Sequence, residues 1–221
     1  MKKIFFMVAV MIAAMSASFA QDFTFGARVG MNVANITGDW KDTQLGDVHS
    51  KMGLKAGFAA CFPLFDNIYL EPGLYFSAKG SRTEYSKLNT KTYCNLNYIE
   101  IPLNGVYKYE VNSNFAVRGH FGPYFAFGVF GKTKTEVDGK VDKDSKVKNF
   151  DDGHNKANEP HRDYSAFDFG LDFGAGIEFS VCYLGVQYDL GLTDFNRNRY
   201  YGLKQCKFHN GVFSVDFGIN F

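Results

Sequence analysis

Beyond residue 20, the sequence lacks any apolar run of the length that a transmembrane helix needs. Such a helix requires about 20 consecutive, mainly apolar residues, yet 46% of the 221 residues are hydrophobic. The apolar residues must therefore be distributed over short segments. An excess of basic charge is also missing, since 24 Lys and Arg face 23 Asp and Glu. This balance argues against a nucleic-acid partner, because nucleic-acid-binding domains usually carry a basic surface.

The first twenty residues are typical of a signal peptide. Lys2 and Lys3 precede an apolar segment at 4–15 that is too short to remain in a bilayer, and Ser18 and Ala20 place small residues before a cleavage site. We therefore predict a signal peptide at 1–20 and an exported domain at 21–221. The residue directly after the cleavage site, Gln21, is not a cysteine, which argues against a lipoprotein.

The strongest pattern in the exported part is period-2 alternation of apolar and polar residues, which is typical of β-strands with two different faces. Eight such segments occur, and they lie at about 23–33, 51–62, 68–78, 94–107, 115–130, 166–180, 183–193 and from about 208 to the end.

The connections between these segments alternate in length. Three are short, at about 63–66, 108–114 and 181–182, and four are long, at about 34–50, 79–93, 131–165 and 194–207. An even strand number with short turns at one end and long loops at the other is the pattern of a transmembrane β-barrel. We therefore predict an all-β, eight-stranded antiparallel up-and-down transmembrane β-barrel with short periplasmic turns, long extracellular loops and an outer-membrane location. We also predict that it is a monomer.

A soluble barrel with its apolar side chains inside is the alternative, because alternation alone does not say which face points outward. The apolar set contains so many Phe and Leu side chains that eight strands could not enclose them. The opposite set is rich in glycine, which suits a narrow interior. Aromatic residues also cluster at the predicted strand ends; at the short-turn end they are Phe62, Phe65, Tyr69, Tyr107, Tyr109, Phe115, Phe179 and Phe221.

The polar face that would then line the lumen carries many ionisable residues, and charges in a narrow lumen must pair or remain hydrated. We predict a lumenal network of ion pairs and hydrogen bonds that plugs the barrel. A narrow pore that prefers cations is the alternative. The predicted network comprises Arg28, Lys55, Glu71, Glu100, Arg118, His120, Asp168, Asp172, Glu178, Asp189 and Asp216.

The four cysteines are not arranged as C-x-x-C, so no zinc or redox motif is present. Cys94 and Cys206 both fall at the long-loop end, in or beside loops, and we predict a disulfide between them, with free thiols as the alternative. The longest loop contains His154, His161 and several Asp residues within 151–163. A flexible solvated loop explains this composition best, and a metal site or an outward-facing hydrolase site is the alternative. We predict no catalytic residue, metal or cofactor.

Several stretches resemble the PorT-like type of small outer-membrane β-barrel proteins from Gram-negative bacteria. The matching stretches are GARVGMNVANITGD at 26–39, YLEPGLYFSAKG at 69–80, YIEIPL at 98–103, GPYFAFGVFG at 122–131, FDFGLDFGAGIEF at 167–179 and GVQYDLGLTDF at 185–195. The resemblance implies an antiparallel barrel in the outer membrane. It implies no single function, since some members are linked to protein secretion, and it supplies no catalytic residues.

These observations together predict a non-enzymatic outer-membrane protein with a structural or surface-interaction role. The predicted partners are outer-membrane lipid, lipopolysaccharide and the machinery that inserts barrels, and a secretion or surface partner would bind the loops near 34–50 and 131–165. Phe221 ends an amphipathic segment and is predicted to act as the assembly signal that this machinery reads. A component of a secretion or transport system, and a lipid or peptide hydrolase with its site at the barrel rim, are the alternative functions.

Overall fold

A computed structural model describes residues 23–38, 47–85, 89–138, 140–143, 165–194 and 208–221. Nine strands account for nearly all of this part of the chain, in which no helix is long and apolar enough to cross a membrane. The strands are β1 (Thr24–Gly38), β2 (Asp47–Phe65), β3 (Ile68–Tyr85), β4 (Thr90–Asn112), β5 (Phe115–Val137), β6 (Lys140–Lys143), β7 (Phe167–Phe179), β8 (Cys182–Gly191) and β9 (Phe208–Asn220).

Eight of these strands form a closed antiparallel ring in the order β1-β2-β3-β4-β5-β7-β8-β9, with β9 paired back to β1. The short strand β6 pairs only with the far end of β5. The predicted eight-stranded up-and-down architecture is therefore confirmed. Closure matters because an open sheet edge cannot be satisfied within lipid.

Two-residue turns connect β2 to β3, β4 to β5 and β7 to β8, at the same end of the ring. Asn67 and Ser180 in these turns adopt positive φ angles of 64° and 52°. Short polar side chains such as these are compatible with the left-handed conformation that tight hairpins require. We call this end the short-turn end and the opposite end the long-loop end.

The strands are longer at the long-loop end than the sequence predicted. The connection expected at 79–93 is almost entirely strand, because β3 continues to Tyr85 and β4 begins at Thr90. β5 likewise continues to Val137 through residues expected to form a loop. Residues 47–50, 78–85, 90–97 and 130–137 thus form a sheet that rises beyond the rest of the ring, and we call it the outer extension.

The ring is apolar outside and polar inside. Every one of its eight strands exposes large apolar side chains outward, and polar and charged residues outnumber apolar ones among the buried side chains. A continuous exposed apolar surface of this kind is typical of contact with lipid. The alternation in the sequence was therefore assigned to the correct faces.

Of the eight aromatic residues predicted at the short-turn end, five are exposed, Phe115 is half-buried, and Phe62 and Tyr69 depart from the prediction. Phe65, Tyr107, Tyr109, Phe179 and Phe221 are exposed. Phe62, however, is buried and stacks on Phe23 with 5.8 Å between ring centroids. Tyr69 points inward beneath Lys108, whose Nζ lies 4.9 Å from its ring centroid, because Tyr69 has the parity of the lumenal residues.

Phe221 closes the ring at the short-turn end. Its backbone N–H donates to the carbonyl of Phe25 at 2.7 Å, and the Phe25 N–H donates to the carbonyl of Phe221 at 3.2 Å. Its role as an assembly signal remains a prediction.

Candidate functional site

The lumen holds all eleven residues that the sequence assigned to its polar network, and ten of them are buried. Glu178, the exception, lies near the open short-turn end and keeps 13% of its side chain exposed. Alternation places these residues inside, since successive side chains on a strand point to opposite faces. The structure shows in addition which of them are partners.

A lower cluster lies at the short-turn end and is built around Arg118. Its guanidinium bridges Glu71, at 2.7 Å from Nη2 to Oε1, and Glu178, at 2.8 Å from Nη1 to Oε1. Arg28 contacts Glu71 at 3.8 Å and donates to Asn220 at 2.6 Å. Both guanidiniums lie over the ring of Tyr183, with 4.1 Å and 5.1 Å to its centroid. Arg118 pairs with Glu178 on the neighbouring strand β7, whereas the contacts of Arg28 and Arg118 with Glu71 cross the lumen between strands that are not neighbours.

His120 and Asp172 form the middle layer. His120 Nε2 lies 3.3 Å from Asp172 Oδ1, and Asn104 donates to the other carboxylate oxygen at 2.7 Å. The two residues lie on the neighbouring strands β5 and β7, between the lower cluster and the cluster around Glu100 that is described next. The pair brings an imidazole close to a carboxylate, and both side chains are enclosed in the lumen.

An upper cluster surrounds Glu100, toward the long-loop end. Lys55 Nζ lies 3.3 Å from one carboxylate oxygen and Lys79 Nζ lies 2.5 Å from the other. Asp189 lies 3.8 Å from Lys79 and accepts a hydrogen bond from Gln187 at 2.9 Å. The side chains of both lysines and of Glu100 are no more than 2% exposed, so they have almost no contact with water.

An apolar layer of β4 and β5 side chains lies next to this cluster, toward the long-loop end. Cys94, Leu96, Tyr98, Tyr124 and Ala126 pack together, and the last four are fully buried. The Tyr124 hydroxyl donates to Asp168 at 3.2 Å, and Asn210 donates to the same oxygen at 2.9 Å. The lumenal carboxylate nearest the long-loop end is thus capped by neutral donors.

Two lumenal cations, Lys79 and Lys108, were not predicted from the sequence. Lys108 contacts Glu178 at 3.1 Å. Both lie two residues beyond an inward-facing position, Ser77 and Val106, but the predicted strands ended just before them. Continued alternation was the signal that could have found them. With these lysines, seven carboxylates face five Lys and Arg side chains and His120, so the lumen is less acidic than the sequence suggested.

Little space remains between these side chains. A polar cavity near Tyr75, Asn104, His120 and Asp216 provides about 10 Å³ for the centre of a water-sized sphere. This corresponds to room for about one water molecule. Asp216 Oδ1 has no hydrogen-bond partner among the described residues and lines this cavity. This cavity can therefore accommodate water.

The outward face of the outer extension carries a second charged cluster. Glu84 contacts both Arg82 and Lys91, the latter at 3.6 Å, and Lys134 contacts Glu136 at 2.6 Å. The Tyr93 ring lies between Arg82 and Lys134, at 5.6 Å and 5.9 Å from its centroid. The hydrogen bond from Lys134 lowers the pKa of Glu136, so this carboxylate is ionised at neutral pH.

The predicted Cys94–Cys206 disulfide stays a prediction, but its premise that Cys94 lies in or beside a loop is not met. Cys94 lies within β4, points into the lumen and is buried, because β4 begins four residues earlier than expected. Cys206 lies outside the described residues. Cys61 is buried near the lower cluster and Cys182 is exposed, and neither forms a disulfide in the structure.

The metal and hydrolase alternatives concern residues 151–163, which the structure does not describe. Within the described ranges, no group of three or more His, Cys, Asp or Glu side chains is arranged to hold a metal ion. The loop alternatives therefore remain predictions.

Comparison with known proteins gives one family. A family model described as an outer membrane protein beta-barrel domain matches residues 19–197. No curated protein matches the chain.

Several solved structures are similar to the chain at low sequence identity. The Ail attachment invasion locus protein of Yersinia pestis is 13% identical with a TM-score of 0.42, and the match covers 91% of this chain and 100% of that one. Neisserial surface protein A is 13% identical with a TM-score of 0.44, covering 89% and 97%. OprG of Pseudomonas aeruginosa is 14% identical with a TM-score of 0.44, covering 90% and 95%.

Proposed function

The chain belongs to the outer membrane protein beta-barrel domain family, and from this premise we propose that it is a non-enzymatic barrel with a closed lumen, whose long-loop end is a surface for interactions. In bacterial barrels of this kind, short turns face the periplasm and longer loops face outward. The outer extension and the adjoining loops then lie on the cell surface.

The dense packing of the lumenal side chains is the observation that supports a closed lumen. The lower cluster, the His120–Asp172 pair and the upper cluster fill successive levels, and the buried apolar layer around Leu96 adds to the packing on β4 and β5. Eight-stranded barrels leave an interior just wide enough for side chains, whereas 16 to 18 strands leave an aqueous channel. An ion that crossed this lumen would have to break several buried ion pairs.

Planar-bilayer recording tests this proposal. We expect the purified, folded chain to produce no steady current at either polarity, while a sixteen-stranded porin in the same membrane conducts. Steady current that rises in proportion to the protein inserted would overturn the closed lumen, and its ion selectivity would then support the narrow cation pore.

The PorT-like assignment is part of the proposal and rests on the motifs of the sequence. The YIEIPL motif at 98–103 places Glu100 in the lumen and Ile99 and Ile101 on the outside of β4. A role in secretion is the second candidate, supported by the same resemblance. Enrichment of secretion components with the chain, extracted from native outer membranes, would favour it over a purely structural role.

A further inference from the structure

The charged face of the outer extension lies directly above the apolar band of the barrel. Phe76 and Phe130 stack with 6.0 Å between their centroids and mark the upper edge of that band. Phe130 pairs with Asn97, and from there the outward residues of β4 are Asn97, Asn95, Tyr93 and Lys91. Apolar side chains therefore give way to polar and then charged side chains along one strand face.

Cross-strand pairing arranges these outward residues in rows. Asn95 pairs with Lys132, Tyr93 pairs with Arg82 on one side and Lys134 on the other, and Lys91 pairs with Glu84 and Glu136. The inward partners of this sheet, such as Ser81 and Cys94, are buried, which confirms that the rows face away from the lumen. Cations thus occupy the two rows nearest the apolar band, and both carboxylates occupy the next row.

The row of Lys132 lies at the height of the headgroup layer of a membrane, and the row of Arg82 and Lys134 lies just above it. Tyr93 lies four residues beyond Asn97, which is ~13 Å along a strand and ~10 Å in height at the usual barrel tilt. Lys132 lies at about half that height. The headgroup layer is ~5–8 Å thick on each side of the hydrocarbon core, and long Lys and Arg side chains can extend their charges over a neighbouring surface.

The contacts within the rows hold the cations in place without removing them from water. The Tyr93 ring lies between Arg82 and Lys134, and their side chains remain 36% and 38% exposed. Lys132, Arg82, Lys134 and Lys91 exceed Glu84 and Glu136 in number, so this face is net positive. A net positive, partly ordered face at headgroup height is complementary to phosphate.

We propose that the outward face of the outer extension binds the phosphate groups of lipids in the surrounding leaflet, through Lys132, Arg82 and Lys134. The lipids would be anionic glycolipids or phospholipids, recognised by phosphate rather than by their acyl chains. This inference rests on the outer-membrane placement in the proposed function and not on the closed lumen.

Native mass spectrometry of the purified full chain in detergent, titrated with bisphosphorylated lipid A, tests the proposal. The variant R82Q/K132Q/K134Q should bind this lipid roughly a hundredfold more weakly, since each basic residue near an anionic surface contributes roughly fivefold. The variant E84Q/E136Q should bind it more tightly, because the opposing charges are removed. K91Q is the matched control one row farther from the membrane and should change binding less than about twofold.

Two further ligands test whether the phosphate groups are required for binding and whether they must belong to a lipid. Dephosphorylated lipid A should bind wild type as weakly as lipid A binds the triple variant, and inorganic phosphate at equal concentration should not displace lipid A. Equal binding of both lipids, or of wild type and the triple variant, would overturn the proposal, and displacement by inorganic phosphate would overturn the lipid as its source. Shifted mobility of the unheated variants on gels verifies that each has folded.

Bilayer current measured on the same samples separates the two proposals. Loss of lipid selectivity without conductance counts against the phosphate site alone, and conductance with intact lipid binding counts against the closed lumen alone.

Discussion

Glu100 in the lumen and Glu84 on the outer extension have the same arrangement in very different surroundings. Each carboxylate lies between two cations, Lys55 and Lys79 for Glu100 and Arg82 and Lys91 for Glu84. The side chain of Glu100 is 1% exposed, whereas that of Glu84 is 25% exposed. The two sites therefore differ mainly in their access to water.

This difference separates what the two charged clusters can do. In the lumen, water cannot replace a lost partner, so an unpaired charge carries its full desolvation penalty. On the outer extension, water competes for every ion pair and the net contribution to stability is small. The lumenal ion pairs therefore contribute mainly to the stability of the fold, while the ion pairs of the extension can be exchanged for contacts with water at small cost.

The substitution Glu100→Gln should have the largest effect, because it leaves Lys55 and Lys79 buried without their shared carboxylate. We expect a loss of about 3–5 kcal/mol in the free energy of unfolding. Urea titration of the protein folded in lipid vesicles, followed by circular dichroism, measures it. A loss below about 1 kcal/mol would show that the lumen is more hydrated than its burial indicates.

Substituting alanine for glycine at inward and outward positions tests whether the lumen differs from the lipid-facing surface in packing as well as in charge. A Cβ on the inward Gly170 would meet the Leu190 carbonyl and lie 2.5 Å from Cε1 of Tyr124, the residue that donates to Asp168. We expect Gly170→Ala to destabilise the barrel by about 1–3 kcal/mol, as overpacking does.

The outward Gly119 is the matched control for Gly170. The nearest atom to its added Cβ would be the Gly174 carbonyl oxygen at 3.9 Å, an ordinary contact. Gly119→Ala should change the free energy of unfolding by less than about 0.5 kcal/mol. Similar losses at both positions in the same urea titration would mean that the lumen is not packed more tightly than the lipid-facing surface.

Glu84→Gln should have the smallest effect, at most about 1 kcal/mol on the free energy of unfolding. The measurement is repeated in 1 M salt, where exposed charges are screened over about 3 Å. There the effect of Glu84→Gln should disappear while that of Glu100→Gln persists. If both effects respond equally to salt, the contrast between the two sites is wrong.

Alternation was sufficient to predict the strands within the membrane and the residues that face the lumen, because lipid on one side and polar side chains on the other impose a strict period of two. The same signal faded in the outer extension, where inward residues such as Thr83, Thr92 and Thr135 are polar and alternate with outward Lys and Glu, so the two faces differ little in polarity. The extension was therefore expected to be loop, and Lys79 at its base was missed.

The sequence could not predict which lumenal residues form ion pairs with one another, for a different reason. Arg118 on β5 bridges Glu71 on β3, a strand that is not its neighbour, so this contact depends on the width of the ring and on the stagger of its strands. Glu100 on β4 pairs with Lys79 on the neighbouring strand β3 and with Lys55 on β2, because register sets the heights of these side chains. Neither quantity can be obtained from alternation within single strands.

The pairing of β9 with β1 has a consequence for folding kinetics. Arg28 donates to Asn220 across 192 residues of chain, and thirteen residue pairs join the two strands. Contacts of such long sequence separation form slowly, because the entropy of loop closure is lost before the contacts compensate for it. Until they form, the unpaired edge of β1 is a template for pairing with other chains. The rate of ring closure, rather than the strength of any lumenal ion pair, then determines how long the chain is vulnerable to aggregation.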